Sequence, residues 1–223
     1  MQFIAYGKAF AFVFEDKAWP RKLLIASLLI VTLVGGVPFL GWCLEVARRV
    51  ADGAPDPLPE WTGFRELWRR GYRFAALNLA WLFPALLATL SIYLPAFFVR
   101  SLDQVSLLVA WFALLGCVLL FLTVYTALVL FLVPAAMGLL ATGGDLRRAI
   151  DPRQAWRRAR RHAGPHLIVF LILGLGVPTV VSIAAPLTLF LGLPPLLAYS
   201  GLLLAHYAGQ LERLDAAEPG QTA

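Results

Sequence analysis

"SLLVAWFALLGCVLLFLTVYTALVLFL", residues 106–132, contains no Asp, Glu, Lys, Arg or His. A bilayer core needs roughly 20 apolar residues at about 1.5 Å of helix rise each. This stretch meets that length with residues to spare. It sets the fold class as helical and membrane-embedded, and the rest of the chain is read outward from it.

Residues 74–99 form a second run free of formal charge just upstream. A short link at 100–104 joins the two into an expected hairpin. Residues 166–209 are apolar but too long for one helix. The "LGLPP" at 191–195 divides them into 167–191 and 195–209, because proline has no amide proton to continue a ladder. Residues 23–43 are apolar too, yet "GGVPFLG" at 35–41 interrupts them. The composition agrees: 60% of the 223 residues are hydrophobic and 14% charged. Soluble domains lie nearer half and a quarter, and here the excess is gathered in blocks.

Three amphipathic pieces precede apolar blocks: residues 3–18, 58–73 and 152–163. The third lies in "IDPRQAWRRARRHAGP", residues 150–165, where Asp151 and Pro152 give a helix start and Gly164-Pro165 a stop. Arg153, Arg157, Arg160 and Arg161 share one side of that helix, with Trp156 opposite. In a soluble protein so basic a stretch would suggest nucleic acid. Between two spans it belongs at the headgroup layer, and nucleic acid is excluded as a partner. The residues expected to meet anionic headgroups are Arg153, Arg157, Arg158, Arg160, Arg161 and Trp156. Trp61 and Trp68, seven apart and read as sharing a helix face, join them as anchors.

Basic residues gather in the N-terminal segment, at 48–73, at 147–161 and at Arg213, whereas the links at 100–104 and 191–195 are nearly bare. The positive-inside rule puts the basic segments and the C-terminus in the cytoplasm, with a bacterial plasma membrane as the site. "MQFIAYGKAFAFVFEDKAWP" lacks a basic region ahead of its apolar part, so targeting is expected to rest on the membrane helices.

The expected architecture is thus an all-α polytopic membrane protein. One helical membrane domain, residues 1–212, holds four to five full spans behind interfacial helices, and a flexible tail follows at 213–223. Residues 23–51 are the open point. Gly35, Gly36 and Pro38 favour a re-entrant hairpin, down through 23–34 and back through 39–51. A proline-kinked single span is the alternative.

The run "GWCLEVARRVADGAPDPLPEWTGFRELWRRG", residues 41–71, resembles the signature of the domain-of-unknown-function 4013 family of bacterial and archaeal multi-spanning membrane proteins. The matching positions are Gly41, Arg48, Gly53, the Leu58-Pro59-x-Trp61 element, Leu67 and Gly71. Trp42 stands where the family pattern carries tyrosine. "AHYAGQ" at 205–210 resembles the family's late element. The resemblance implies architecture and no biochemical activity.

The sequence offers little for chemistry. There is no G-x-x-x-x-G-K-[ST], no H-E-x-x-H and no zinc-spaced cysteine pair. Cys43 and Cys117 read as free thiols. The expectation is a protein without catalytic residues, cofactor or metal. His162 and His166 read as surface histidines of a helix end. Glu45 precedes Arg48 and Arg49 at ion-pair spacing, and His206 and Gln210 share a face four residues apart. These give a candidate partner-binding or structural polar site at Glu45, Arg48, His206 and Gln210. The leading functional expectation is an accessory or assembly subunit that acts through other membrane subunits or its own copies. The alternative is a small transporter or homo-oligomeric pore, using helix breaks at Gly35-Gly36-Pro38 and Pro178.

Overall fold

The computed structural model describes residues 4–94 and 103–217, except for the Leu33 side chain. Among these residues the secondary structure is helical, with no strand. They fall into two units, Met1–Leu77 with Leu130–Ala223, and Asn78–Val129.

The first unit opens with α1 (Tyr6–Glu15), α2 (Trp19–Val31), a 3-10 turn (Leu33–Gly35) and α3 (Gly36–Ala51). Pro20 occupies the first turn of α2, and Pro38 the first turn of α3, where a missing amide proton costs no helix bond. Gly35, Gly36 and Pro38 therefore mark the boundary between two helices. The chain doubles back there. Lys22 in α2 and Trp42 in α3 both bond to the loop at 58–59, yet one straight helix would hold them about 30 Å apart.

α3 buries Phe39, Trp42, Cys43, Val46, Ala47 and Val50, the i, i+3, i+4, i+7 stripe of a helix with one packed face. Its main neighbour is α10 (Leu193–Ala217), whose small residues Ala198, Ala205 and Gly209 permit close approach. α3 also crosses the start of α4 (Phe64–Ser91) backbone to backbone. A Cβ on Gly41 would run into the Leu67 carbonyl, and one on Gly71 into the Val37 carbonyl. Only glycine fits either side of that crossing.

α5 (Gln104–Gly143) is followed by α6 (Leu146–Ile150), α7 (Pro152–Arg161) and α8 (Ala163–Leu171). Asp151 caps α7, its side chain accepting the Arg153 amide at 2.9 Å. A π turn (Ile172–Gly176) leads into α9 (Val177–Leu187), with Pro178 at its start. Proline cannot donate to the helix ladder, and its ring would meet the carbonyl four residues back; the wider turn relieves both. The turn to α10 carries Leu189 and Phe190 at φ 49° and 64°.

The second unit comprises the apolar lengths of α4 and α5. Tyr125 donates its hydroxyl to the Trp81 carbonyl and stacks on Phe121 at 5.4 Å. Thr89 and Thr123 return their hydroxyls to carbonyls of their own helices. Leu79, Leu82, Phe83, Leu120 and Val124 are all more than half exposed.

Several boundaries differ from those read in the sequence. Residues 58–73 are not a separate surface helix. Residues 58–63 are loop, and the helix starting at Phe64 runs without a break through Arg73 into the apolar run, because nothing there interrupts the backbone ladder. α5 exceeds the expected 106–132 by a turn and more, since Pro134 is absorbed within the helix. Gly164-Pro165 does not end a helix. It lies in the first turn of α8, where proline is tolerated. Residues 213–217 belong to α10 and not to a loose tail. The expected positions 3, 95–102 and 218–223 lie outside the described residues. Three helical stretches are long and apolar enough to cross a membrane: Phe64–Ser91, Gln104–Gly143 and Ala163–Leu187.

Candidate functional site

The polar side chains of the first unit gather in three places. The first is a clamp around the Leu58-Pro59-x-Trp61 loop. Trp42, fully buried, donates its indole N–H to the Pro59 carbonyl at 3.1 Å. Trp61 stacks on it at 4.4 Å between ring centres and donates to the Lys22 carbonyl. The Lys22 ammonium, 4% exposed, binds the Leu58 carbonyl, Asp16 at 2.7 Å and Glu60 at 2.8 Å. Burial alone would lower the Lys22 pKa. Its hydrogen bonds to the two carboxylates outweigh that and hold it above the ordinary value. Asp16 is correspondingly held low, the bonds from Lys22 and the Ala18 amide outweighing its burial. The loop thereby ties the start of α2 to the middle of α3.

Beside the clamp, Glu45 accepts from Arg48 at 2.8 Å, from Arg49 at 3.2 Å, and from Arg70 of α4. Glu66 pairs with Arg69 and Arg70. The Glu45–Arg48 pair is therefore one part of a network that joins two helices.

The second place is a cleft of about 340 Å³ between α1, the end of α3 and α10. His206, 4% exposed, lies on Phe12 at 4.3 Å between rings. Its Nε2 faces the Gln210 amide nitrogen at 3.3 Å. With that nitrogen donating, the ring proton sits on Nδ1. Neither Nδ1 nor Gln210 Oε1 has a partner. Lys8 and Arg213 also line the cleft. Such a cleft can offer a donor and an acceptor to a polar group.

The third place was not read from the sequence. Glu212, 5% exposed, meets Arg158 of α7 at 2.7 Å and Thr142 at 3.2 Å. Asp215 meets Arg158 at 2.9 Å and Arg161 at 3.5 Å. Burial raises the Glu212 pKa to about 7; Arg158 opposes the shift and Asp215 adds to it. The available signal was Glu212 and Asp215 at i, i+3 in a helix otherwise short of acids. Among the described residues, no group of three His, Cys, Asp or Glu side chains could hold a metal ion.

Residues 24–190 match the family described as protein of unknown function, DUF4013. The chain belongs to that family. No curated protein and no solved structure matches it. The matched region includes Gly41, Gly71 and the Leu58-Pro59-x-Trp61 loop, and it stops short of residues 205–210.

In this DUF4013 chain the expected headgroup residues part company. Arg153, Arg157 and Arg160 are exposed and unpaired, and Trp156 is 42% exposed. Arg158 and Arg161 turn instead toward the acids of α10. Trp61 shares no helix face with Trp68, because it precedes α4; it is half-buried against Trp42, while Trp68 packs on Tyr72. His166 is not a surface residue. It is 2% exposed and lies beside Phe131. The structure does not join Glu45 and Arg48 to His206 and Gln210 in one site. They occupy the separate places described above.

Proposed function

We propose that this chain is a multi-pass inner-membrane protein without catalysis of its own, acting as an accessory or assembly subunit through other membrane proteins. The observation that carries the reading is the bareness of its apolar helices. In the most apolar windows of the α5 and α8–α9 stretches only 6% of residues are buried within the chain, and in α4 17%. Lipid covers such surfaces, and so do helices of a partner. The basic loops put the N-terminus, residues 48–73, residues 145–162 and Arg213 in the cytoplasm. Residues 23–51 are then a re-entrant hairpin, and residues 193–209 return the chain to the inner side.

Solubilisation of native membranes in mild detergent is expected to bring companions in fixed stoichiometry. Recovery of a lone monomer from every such preparation would refute the subunit role. Topology is tested in a background lacking Cys43 and Cys117. Lys8→Cys and Asp56→Cys are both expected to react with an impermeant reagent from the cytoplasmic side alone. Labelling of the first from outside and the second from inside would make residues 23–51 a single span.

The helix breaks favour a second reading, a small transporter or homo-oligomeric pore for an apolar or weakly polar solute. Interrupted helices line binding sites in transporters, and both the doubled-back α2–α3 and the π turn before Pro178 are interruptions. Liposome flux altered by Pro38 and Pro178 substitutions would favour that reading over the first.

A further inference from the structure

Positive charge is left over where α3 ends and α4 begins. Arg48, Arg49, Arg69, Arg70 and Arg73 gather there around only two carboxylates, Glu45 and Glu66. Three of the five guanidiniums are thus unmatched by a carboxylate. Arg48, Arg69, Arg70 and Arg73 line a pocket of about 230 Å³, with Gly143 and Gly144 at the end of α5 closing one side. Arg73 donates to the Gly144 carbonyl at 3.3 Å. A helix end carries about half a negative charge, far less than three. Arg48 and Arg69 have side chains 44% and 65% exposed, so the pocket opens outward. Burial and the neighbouring Arg73 together pull the Arg70 pKa below its ordinary value, a sign of crowded like charge that an anion would relieve.

The depth of the pocket narrows the choice of anion. Arg73 is the last charged residue before α4 runs on through 74–91 with none. On the same turns Trp68 and Tyr72 pack at 5.4 Å, Tyr72 more than half exposed. Aromatic pairs of this kind collect at the headgroup level of a bilayer.

We propose that this pocket holds the phosphate of an anionic phospholipid headgroup. Guanidinium forks match phosphate oxygens two at a time, and several converging on one concavity give a bound position where a flat basic face gives only attraction. Arg153, Arg157 and Arg160 on α7 make such a face. The proposal rests on the membrane reading given above, and the two fail differently. If the membrane reading is wrong, alkaline carbonate releases the wild-type chain from membranes.

The test is native mass spectrometry of the intact protein from mixed phosphatidylglycerol and phosphatidylcholine micelles. Wild type is expected to retain phosphatidylglycerol preferentially. Arg69→Gln with Arg73→Gln should weaken that retention roughly thirtyfold, at the worth of two basic residues near an anionic lipid. Arg69→Lys with Arg73→Lys, which keeps the charge should the first variant fold poorly, should retain most of the preference for the anionic lipid. Arg153→Gln with Arg157→Gln removes the same charge elsewhere and should change it little. Equal retention of both lipids by wild type, or equal loss in the α7 variant, would overturn the proposal. Inorganic phosphate is the competing source. Displacement of the lipid by millimolar phosphate would assign the pocket to a free anion and overturn the lipid assignment.

Discussion

α3 and α5 invert the usual link between apolarity and burial. α5 is 40 residues long and its most apolar window is 6% buried in the chain. α3 is 16 residues long, begins with glycine and proline, ends in Glu-x-x-Arg-Arg, and buries ten of its residues. In water, the helix richest in leucine would sit at the centre. Here lipid can cover a uniformly apolar surface without specific fit, so apolarity alone says nothing about protein contacts. Specific packing instead requires shape and hydrogen bonds: glycines where backbones touch, an indole N–H aimed at a carbonyl, a carboxylate shared by three arginines. The membrane solvent thus separates two properties that a soluble core combines.

The contrast can be broken first at Trp42. Trp42→Ala removes a fully buried ring, its stack on Trp61 and its bond to Pro59. A loss of about 3–5 kcal/mol is expected, read as collapse of monodisperse protein in size-exclusion chromatography. Gly71→Ala comes next. Its new methyl meets the Val37 backbone, and overpacking of this kind costs about 1–3 kcal/mol. Gly116→Ala on α5 meets open space and should leave the detergent melting temperature unchanged or slightly raised.

The third prediction concerns acidity. The folded Glu212 has its pKa raised to about 7, against an ordinary 4.5. Between those values the folded chain holds the proton more tightly than the unfolded chain does. Stability from this group is therefore complete below about pH 4.5, falls as pH rises toward 7, and is level above that. Glu212→Gln should flatten that part of the pH–stability curve, and an unchanged slope would show the group ionised throughout. The smallest effect belongs to Leu120→Ala, on a side chain 68% exposed along α5. A change within about 0.5 kcal/mol is expected; a loss of several would mean that a protein partner and not lipid covers that face.

Local signals carried the sequence reading, and distance in sequence limited it. The charge-free run in α5 could be seen because nothing outside it was needed. The start of α7 was equally visible, since Asp151 and Pro152 act on neighbouring residues. The break at Gly35-Gly36-Pro38 was recognisable as a break for the same reason. Trp61 was misread because its partner Trp42 lies 19 positions away across a loop, and a seven-residue spacing to Trp68 suggested a helix that had not yet begun. Arg158 was grouped with its neighbours on a basic face because Glu212 is 54 positions further on. Periodicity also cannot distinguish a surface histidine from His166, whose burial depends on Phe131 in another helix. For the candidate site, the composition of the Glu45 pair was legible, while the reach of Arg70 across to it was not.

The π turn at Ile172–Gly176 acts as a phase correction. Val169 and Ala185 are both buried, and α8 and α9 both pack on α10. Sixteen residues of uninterrupted α-helix would leave those two side chains about 160° apart around the axis. One residue absorbed in the wider turn reduces that to about 60° and returns both to the same side. Deleting a single residue there would straighten the helix and swing Ala185 away by about 100°. A one-residue change in length at this point is therefore a rotation of everything beyond it, and the chain's tolerance of such changes depends on where along the helix they fall.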